Sequence, residues 1–298
     1  MTSIKVASAQ YPISQFEDIQ DWVQHTTEWV EEAVAMQAQI LCFPEYGSME
    51  LSSLVENQND PSQQVIELQA FHKDFLKIYS ELAQDNEVII VAPSFPVKTD
   101  KGYVNRVYVF DTKGDYGYQD KLFMTRFENE EWNIVSGDLS LTVFNYQGVK
   151  FGVQICYDSE FPVGSHLLAQ NGAEIIFAPS CTETLRGATR VHLGCRARAM
   201  ENQCYVIVSQ TVGESKWSPA VDINYGYAAF YATPDNGQPE EGVYEMGDHN
   251  DESWEIYDLD LNQLRMTRKN PSVFNFKDQQ LLALNHINNM EVKEKILR

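Results

Sequence analysis

The sequence predicts an α/β domain in which helices cover sheets. Short runs rich in β-branched residues alternate with longer segments of helical periodicity. No repeat, low-complexity segment or Gly/Ser linker divides the 298 residues, and 43% of them are hydrophobic, which is enough for a large core. We therefore expect 1–298 to form one domain, with its core at about 4–260 and a C-terminal tail at about 261–298.

Each element of the first third has its own signal. The run IKVASAQ at 4–10 and the apolar runs at 40–43 and 88–95 predict strands, and Pro44 ends the pairing of the second. Apolar residues at helical spacing predict a helix over 14–39. A second helix is expected to open at Asp60-Pro61, because proline is tolerated in a first turn, and to run to about residue 85.

Strands and helices continue to alternate in the remainder. A hairpin is expected at 104–112 and 115–121, an ordered loop at 122–139, and a strand pair at 141–146 and 149–155. Helices are expected at 161–170 and 187–202, and strands at 174–180, 204–210 and 254–259. Residues 212–250 are predicted to be loop-rich, and the C-terminus helical or trailing.

Charge and cysteine content narrow the partners. A net charge of -21 should repel nucleic acid phosphates and anionic membranes. Five cysteines, an odd number without a close CxxC pair, argue against a disulfide framework or structural zinc. The start lacks a basic segment followed by an apolar run, and no stretch approaches membrane-span length. We expect no signal peptide, no membrane association and a reducing cytoplasm.

Three segments place a reactive side chain where a predicted strand stops. They contain Glu45, Lys121 and Cys156. Side chains at strand ends lie on rigid supports and face the loops in which substrates bind. Taken singly, a surface glutamate, a solvated lysine and a small buried cysteine are equally acceptable interpretations.

The strand before Cys156 has period two, with apolar residues at the odd positions 149–155. Cys156 is therefore expected on the opposite side, near the start of the next helix. The positive end of that helix dipole should lower the pKa of the thiol. The backbone N–H of Tyr157 is a candidate oxyanion donor.

Taken together, the segments resemble the nitrilase superfamily of carbon–nitrogen hydrolases, in its amidase-like branch. The resemblance is carried by FPEYG at 43–47, DKLFMTRFE at 120–128 and GVQICYDSEFP at 152–162. Supporting matches are AQ at 9–10, APS at 178–180 and RARAMENQCYV at 196–206. The resemblance covers about residues 4–260, and three motifs in the same order form a far more specific signal than any one of them.

The resemblance implies a four-layer α-β-β-α sandwich and a homodimer or larger homo-oligomer. It also implies a Glu45–Lys121–Cys156 triad that hydrolyses a small amide with water through a Cys thioester, releases ammonia and needs no metal or other cofactor. A second glutamate after the lysine is common in the family, and Glu128 is the candidate, with Glu130 and Glu131 close by.

Two further residues are candidates for substrate contacts. Glu160 stands where many members of the family have arginine. It is expected to pair with Arg196 or Arg198, or to disfavour anionic substrates. Cys181 follows a predicted strand and is a candidate for the pocket lining.

Several alternatives stay open. N-carbamoyl hydrolysis, nitrile hydrolysis and acyl transfer to an amine use the same triad. A Cys–His hydrolase would need His166 or His192, and a metal site would need histidines that are scattered here. A non-catalytic binding protein can keep the same fold. The acyl group, the leaving amine, the oligomeric state and the pathway are not defined by the sequence.

Overall fold

The computed structural model describes residues 1–56, 59–282 and 291–295. Its strands are β1 (Ser3–Pro12), β2 (Ile40–Cys42), β3 (Ile89–Val91), β4 (Phe95–Thr99), β5 (Gly102–Phe110), β6 (Tyr116–Asp120), β7 (Ile134–Val135), β8 (Phe144–Tyr146), β9 (Val149–Val153), β10 (Ile175–Ser180), β11 (Tyr205–Glu214), β12 (Ile223–Asn224), β13 (Ala229–Tyr231), β14 (Val243–Met246) and β15 (Ser253–Asp260). Its α-helices are α1 (Ile19–Ala35), α2 (Pro61–Glu67), α3 (His72–Asp85), α4 (Arg126–Glu130), α5 (Pro162–Gln170), α6 (Leu185–Asn202), α7 (Leu261–Lys269) and α8 (Asn275–Asp278). The 3₁₀ helices are Gly47–Leu54, Leu68–Phe71, Cys156–Glu160 and Gln279–Leu282. Across these described ranges, no helix combines the length and the apolar character needed to span a membrane.

The strands form a hydrogen-bonded path in the order β4-β5-β3-β2-β1-β11-β10-β9-β8. From β3 to β9 every neighbouring pair on this path is parallel. Strand β5 is antiparallel to β3, and β6 is antiparallel to β5, so β6 runs in the same direction as β3. The carboxyl ends of β2, β6, β9 and β10 therefore lie at one edge of the sheet.

Two apolar cores divide the strands into layers. Alternate residues of β1, β2 and β3 belong to different cores: Leu41 packs in the core with α1 and α3, whereas Ile40 and Cys42 face the other core. That other core also holds both faces of β10 and β11 and the inner face of α6. The layers therefore follow one another as α1 and α3, the part of the sheet with β1–β3, the part with β9–β11, and α6. This order confirms the predicted α-β-β-α sandwich.

The first two predicted helices are shorter or more divided than expected. Helix α1 begins at Ile19 rather than Ser14, because Asp18 caps it by accepting the backbone N–H groups of Gln20 and Asp21. The helix predicted from Asp60 to about residue 85 is divided into α2, a 3₁₀ turn and α3. Helix α7 confirms a helical start to the tail, whereas residues 283–290 and 296–298 of that tail lie outside the described residues.

Three predicted segments of strand or loop were wrong in part. The strand over 88–95 is divided into β3 and β4 around Pro93, which has no N–H to donate to a sheet. The loop over 122–139 contains α4 and β7, and the loop-rich region 212–250 contains β12, β13 and β14. The hairpin of β5 and β6 and the pair of β8 and β9 are antiparallel, as predicted.

Candidate active site

Glu45 lies in a sharp turn just after β2. Tyr46 has a left-handed backbone, with φ of 58°, which only a few per cent of residues other than glycine adopt. The backbone N–H of Tyr46 donates to Ser94 Oγ at 2.8 Å, and Ser48 Oγ donates to the Ser94 carbonyl at 2.6 Å. These bonds attach the turn to the segment between β3 and β4 and hold the Glu45 carboxylate in a buried position.

Lys121 immediately follows β6, and its side chain is only 1% exposed. Its Nζ donates to Glu45 Oε1 at 2.6 Å and to Glu128 Oε2 at 2.7 Å. Burial alone would lower the pKa of Lys121, but the charges of Glu128 and Glu45 outweigh burial and hold it well above its ordinary value. Lys121 is therefore a fixed buried cation between two carboxyl groups.

Glu128 is the buried member of the acidic group, whereas Glu130 and Glu131 are exposed. Besides Lys121, its carboxylate accepts hydrogen bonds from Tyr46 Oη at 2.7 Å, Asn105 Nδ2 at 3.1 Å, and the N–H and Oγ1 of Thr125, both at 2.8 Å. Thr125 and Glu128 form a reciprocal capping box at the start of α4. Of the three candidate glutamates, the structure thus places Glu128 beside Lys121.

The two carboxyl groups have different proton affinities. Burial raises the pKa of Glu45, and the neighbouring Glu128 charge adds to that rise against the pull of Lys121. For Glu128 burial acts in the same direction, but Lys121 and the hydrogen-bond donors outweigh it and lower its pKa. The arrangement keeps Glu128 ionised and makes Glu45 the carboxyl that can gain and lose a proton.

Cys156 is the first residue of the 3₁₀ helix Cys156–Glu160, and its φ of 46° is left-handed. Strained backbone of this kind in a non-glycine residue costs about 1–3 kcal/mol and is common at functional sites. The thiol donates to the Cys181 carbonyl at 3.8 Å. Cys156 thus lies where β9 turns sharply into the next element.

The expectation of a lowered thiol pKa at Cys156 was wrong. The 3₁₀ turn Cys156–Glu160 separates the residue from the start of α5 at Pro162, so little helix dipole is available at the thiol. Burial raises the pKa of the Cys156 thiol well above its ordinary value, and the Glu45 carboxylate raises it further. The thiol is therefore protonated at neutral pH and needs a base before it can act as a nucleophile.

Two cavities that share part of their lining, here called the carboxylate lobe and the thiol lobe, border these groups. The carboxylate lobe, of about 320 Å³, is bordered by Glu45, Lys121 and Glu128. The thiol lobe, of about 270 Å³, is bordered by Cys156 and Tyr157. Both lobes share the lining residues Thr125, Arg126 and Cys181. Cys181 lines both lobes, and its backbone N–H donates to Glu45 Oε2 at 3.0 Å.

Glu160 lines the thiol lobe, but its predicted partners were wrong. Its carboxylate binds Arg190 of α6 through both oxygens, with Nε to Oε1 at 3.0 Å. Arg196 donates to a backbone carbonyl, and Arg198 pairs with Glu201. The 3₁₀ helix that contains Glu160 packs on α6. Arg190 lies in α6 before Arg196 and Arg198, and this packing brings it within reach of the Glu160 carboxylate.

The histidines considered for a Cys–His hydrolase bind elsewhere. His166 Nδ1 contacts Gln279 Oε1 at 2.5 Å. His192 lies between Tyr231 Oη, at 2.7 Å, and Gln210 Oε1, at 2.9 Å. Neither histidine borders the lobe that contains Cys156.

Two residues of this network were not predicted from the sequence. Asn105 of β5 donates from Nδ2 to Glu45 Oε1 at 2.9 Å and to Glu128 Oε1 at 3.1 Å. Asp158 accepts the backbone N–H of Phe123 at 2.8 Å and that of Leu122 at 3.2 Å, and so ties the segment after Lys121 to the turn of Cys156. Burial raises the pKa of Asp158 to about 7.

The sequence of the chain matches a family of known proteins. The sequence profile of the carbon-nitrogen hydrolase family matches residues 5–249. The "Probable hydrolase YhcX" of Bacillus subtilis is 31% identical over 93% of this chain and 54% of its own length, so the chain spans about half of that relative. Human "Omega-amidase NIT2" is 25% identical over 95% of this chain and 98% of its own length.

A solved structure shares the architecture. The carbon-nitrogen hydrolase from Helicobacter pylori G27 superimposes with a TM-score of 0.78, covering 97% of this chain and 99% of that one. Its sequence is 17% identical, so this likeness establishes the fold alone.

Proposed function

The chain belongs to the carbon–nitrogen hydrolase family, and on that premise we propose that it hydrolyses a small carboxamide through a thioester on Cys156 and releases ammonia. Glu45 is the acid and base, Lys121 stabilises the oxyanion, and Glu128 keeps Lys121 charged. The omega-amidases and amidases among its relatives support an amide over a nitrile as the substrate.

Acylation begins with proton transfer from the Cys156 thiol to Glu45. The thiolate sulfur then attacks the carbonyl carbon of the amide, and the carbonyl oxygen becomes an oxyanion. The Lys121 ammonium and a backbone N–H, for which Tyr157 is the candidate, stabilise that charge; one such donor contributes about 3–4 kcal/mol to the barrier reduction. As the tetrahedral intermediate collapses, Glu45 gives its proton to the nitrogen, and ammonia leaves.

Deacylation repeats the steps with water. Glu45, ionised again, takes a proton from a water molecule that attacks the thioester carbonyl. The second tetrahedral intermediate expels the Cys156 sulfur, and the proton held by Glu45 returns to it. The free carboxylic acid leaves, and the enzyme regains its starting protonation state.

The observation that carries the proposal is the buried cluster of Lys121 with Glu45 and Glu128. The Lys121 cation lies 2.6 and 2.7 Å from two carboxyl groups, and burying such charges is costly. A costly buried cluster of this kind supports a functional role. Here the cluster borders the carboxylate lobe, Cys156 borders the thiol lobe, and Cys181 borders both. The raised pKa of Glu45 and the raised pKa of Cys156 support a proton transfer between them.

The proposal also covers the compartment in which the protein acts and its oligomeric state. All five cysteines are free thiols, which supports a reducing compartment such as the cytoplasm. We also propose that the chain is one hydrolase domain that acts as a homodimer or larger homo-oligomer, as the family resemblance implies.

Ammonia release tests the proposal. The panel comprises small aliphatic amides, ω-amides of dicarboxylates, carbamoyl amino acids and nitriles. Cys156→Ala should abolish release, whereas Cys204→Ala, which removes a buried thiol from the same core, should retain it. Release that persists in Cys156→Ala contradicts the proposal. If the wild-type protein releases no ammonia from any substrate of the panel, the result would favour a non-catalytic binding protein.

A further inference from the structure

The carboxylate lobe has a buried apolar end. Tyr46, Trp132 and Val221 line it and are each less than 5% exposed. The rings of Tyr46 and Trp132 meet edge to face with centroids 4.8 Å apart. Because Glu45 and Lys121 border the same lobe, the acyl group of an amide held there would lie against these apolar side chains.

The exposed end of the lobe carries uncompensated negative charge. Glu183 is exposed and Asp222 partly exposed, and the ion pairs found among the described residues include neither. Arg126, an exposed cation of the same lining, donates to Glu130 Oε2 at 2.6 Å, and that carboxylate is its ion-pair partner. These acids border a cavity whose other end holds the catalytic groups, so their field acts on whatever occupies it.

The thiol lobe does not supply the same bias. The carboxylate of Glu160 is matched there by Arg190. A net charge of -21 over the whole chain adds to the attraction for cations and the repulsion of anions. Charge selection therefore comes from the carboxylate lobe rather than from the acidic residue after Cys156.

We infer that the acyl group of the substrate is an apolar chain with a positive charge at its far end, facing Glu183 and Asp222. The inference rests on the proposed amide hydrolysis and narrows its substrate class. A primary amide that carries a distal amine fits both ends of the lobe, whereas an ω-amide of a dicarboxylate places its carboxylate against two others.

Three amides of matched length test this charge preference: δ-aminovaleramide (cationic), hexanamide (neutral) and adipamate (anionic). An exposed carboxylate changes the binding of a nearby charge by about 1.5- to 5-fold. With two such carboxylates, kcat/KM should fall in the order cation, neutral, anion, with a span of at least about 5-fold. The span should shrink at about 1 M salt, where the screening length is about 3 Å.

A double variant and a matched control assign the effect to the lobe. Glu183→Gln/Asp222→Asn should reduce the cation-to-anion ratio of kcat/KM by about 5-fold or more. Glu31→Gln/Glu32→Gln makes the same change in net charge at exposed positions of α1 that line neither lobe, and it should preserve the ratio.

Binding separates this inference from the proposed reaction. Calorimetric titration of the three amides into Cys156→Ala should give the same order without turnover. Equal binding, or tightest binding of adipamate, overturns the inference even where Cys156-dependent hydrolysis occurs. The expected binding order without any Cys156-dependent hydrolysis supports the charge preference and overturns the proposed reaction.

Discussion

Replacing Asn105 with leucine tests how the site keeps Glu45 ready to accept a proton. Asn105 Nδ2 donates to Glu45 Oε1 at 2.9 Å and to Glu128 Oε1 at 3.1 Å, yet Asn105 borders neither lobe. Both bonds favour the ionised carboxylates. Leucine has a similar size but offers no donor, so the variant removes the bonds with little change in volume.

The magnitude follows from the bonds that remain. Glu45 keeps Lys121 and the Cys181 N–H, but it loses a hydrogen bond to a charged group, which contributes about 1.5–3 kcal/mol. At 1.36 kcal/mol per pKa unit, that loss raises the pKa of Glu45 by about one to two units. Because Glu45 must be ionised to act as a base, the acid limb of kcat/KM should move to higher pH by about one unit or more.

The assay is the pH profile of kcat/KM for an amide that the wild-type enzyme hydrolyses. Activity should fall by about 10-fold below the limb and approach the wild-type value above it. Gln119→Leu is the control, because it removes another buried amide side chain from the same sheet, one that donates only to backbone carbonyls. An equal loss at every pH, with the limb unmoved, would refute the role assigned to Asn105.

Three further predictions concern the buried ionisable groups. Lys121→Met leaves Glu45 and Glu128 without their cation, so we expect kcat to fall at least about 100-fold. Denaturant titration should show that the free energy of unfolding falls by about 3–5 kcal/mol. Unchanged stability would contradict the ion cluster. Burial raises the pKa of Glu50 to about 8, so the folded protein holds a proton that the unfolded chain releases, and stability should fall as the pH rises from about 4.5 to 8. Melts at stepped pH should show the wild type losing about 1–4 kcal/mol relative to Glu50→Gln across that window, whereas a constant difference would argue against a raised pKa. Iodoacetamide should modify Cys156 about 10-fold more slowly in Glu45→Gln at neutral pH, since the protonated thiol then lacks its base, and equal rates in peptide mass analysis would remove Glu45 from that role.

The position of the site was predictable because its residues follow strand ends. Glu45, Lys121 and Cys156 each come shortly after an apolar or alternating strand, and parallel strands bring their carboxyl ends to one edge. The local motifs then associate the three residues with a family. Glu128 was identifiable because it lies in the motif that begins with Asp120-Lys121. The pattern Thr-x-x-Glu at 125–128 is also the capping-box pattern, which predicts the start of α4.

Other parts of the site depend on contacts distant in sequence. Asn105 lies inside β5, where a polar residue in an alternating strand usually faces solvent, and its partner Glu45 is 60 residues away. The pairing of Glu160 with Arg190 depends on how the turn after Cys156 packs on α6. The pKa of Cys156 depends on the completeness of burial, which outweighs the weak dipole of a short turn. The break in the strand at Pro93, by contrast, had a signal in the sequence.

The proposed acyl-enzyme on Cys156 is tested most directly by partitioning between hydroxylamine and water. With hydroxylamine present, an amide and the methyl ester of the same acid should give the same ratio of hydroxamate to free acid at every hydroxylamine concentration. Equality is expected because both substrates form one thioester, whose fate no longer depends on the leaving group. Cys156→Ala should form no hydroxamate. Ratios that differ between the amide and the ester, or hydroxamate formed by Cys156→Ala, would contradict the thioester mechanism.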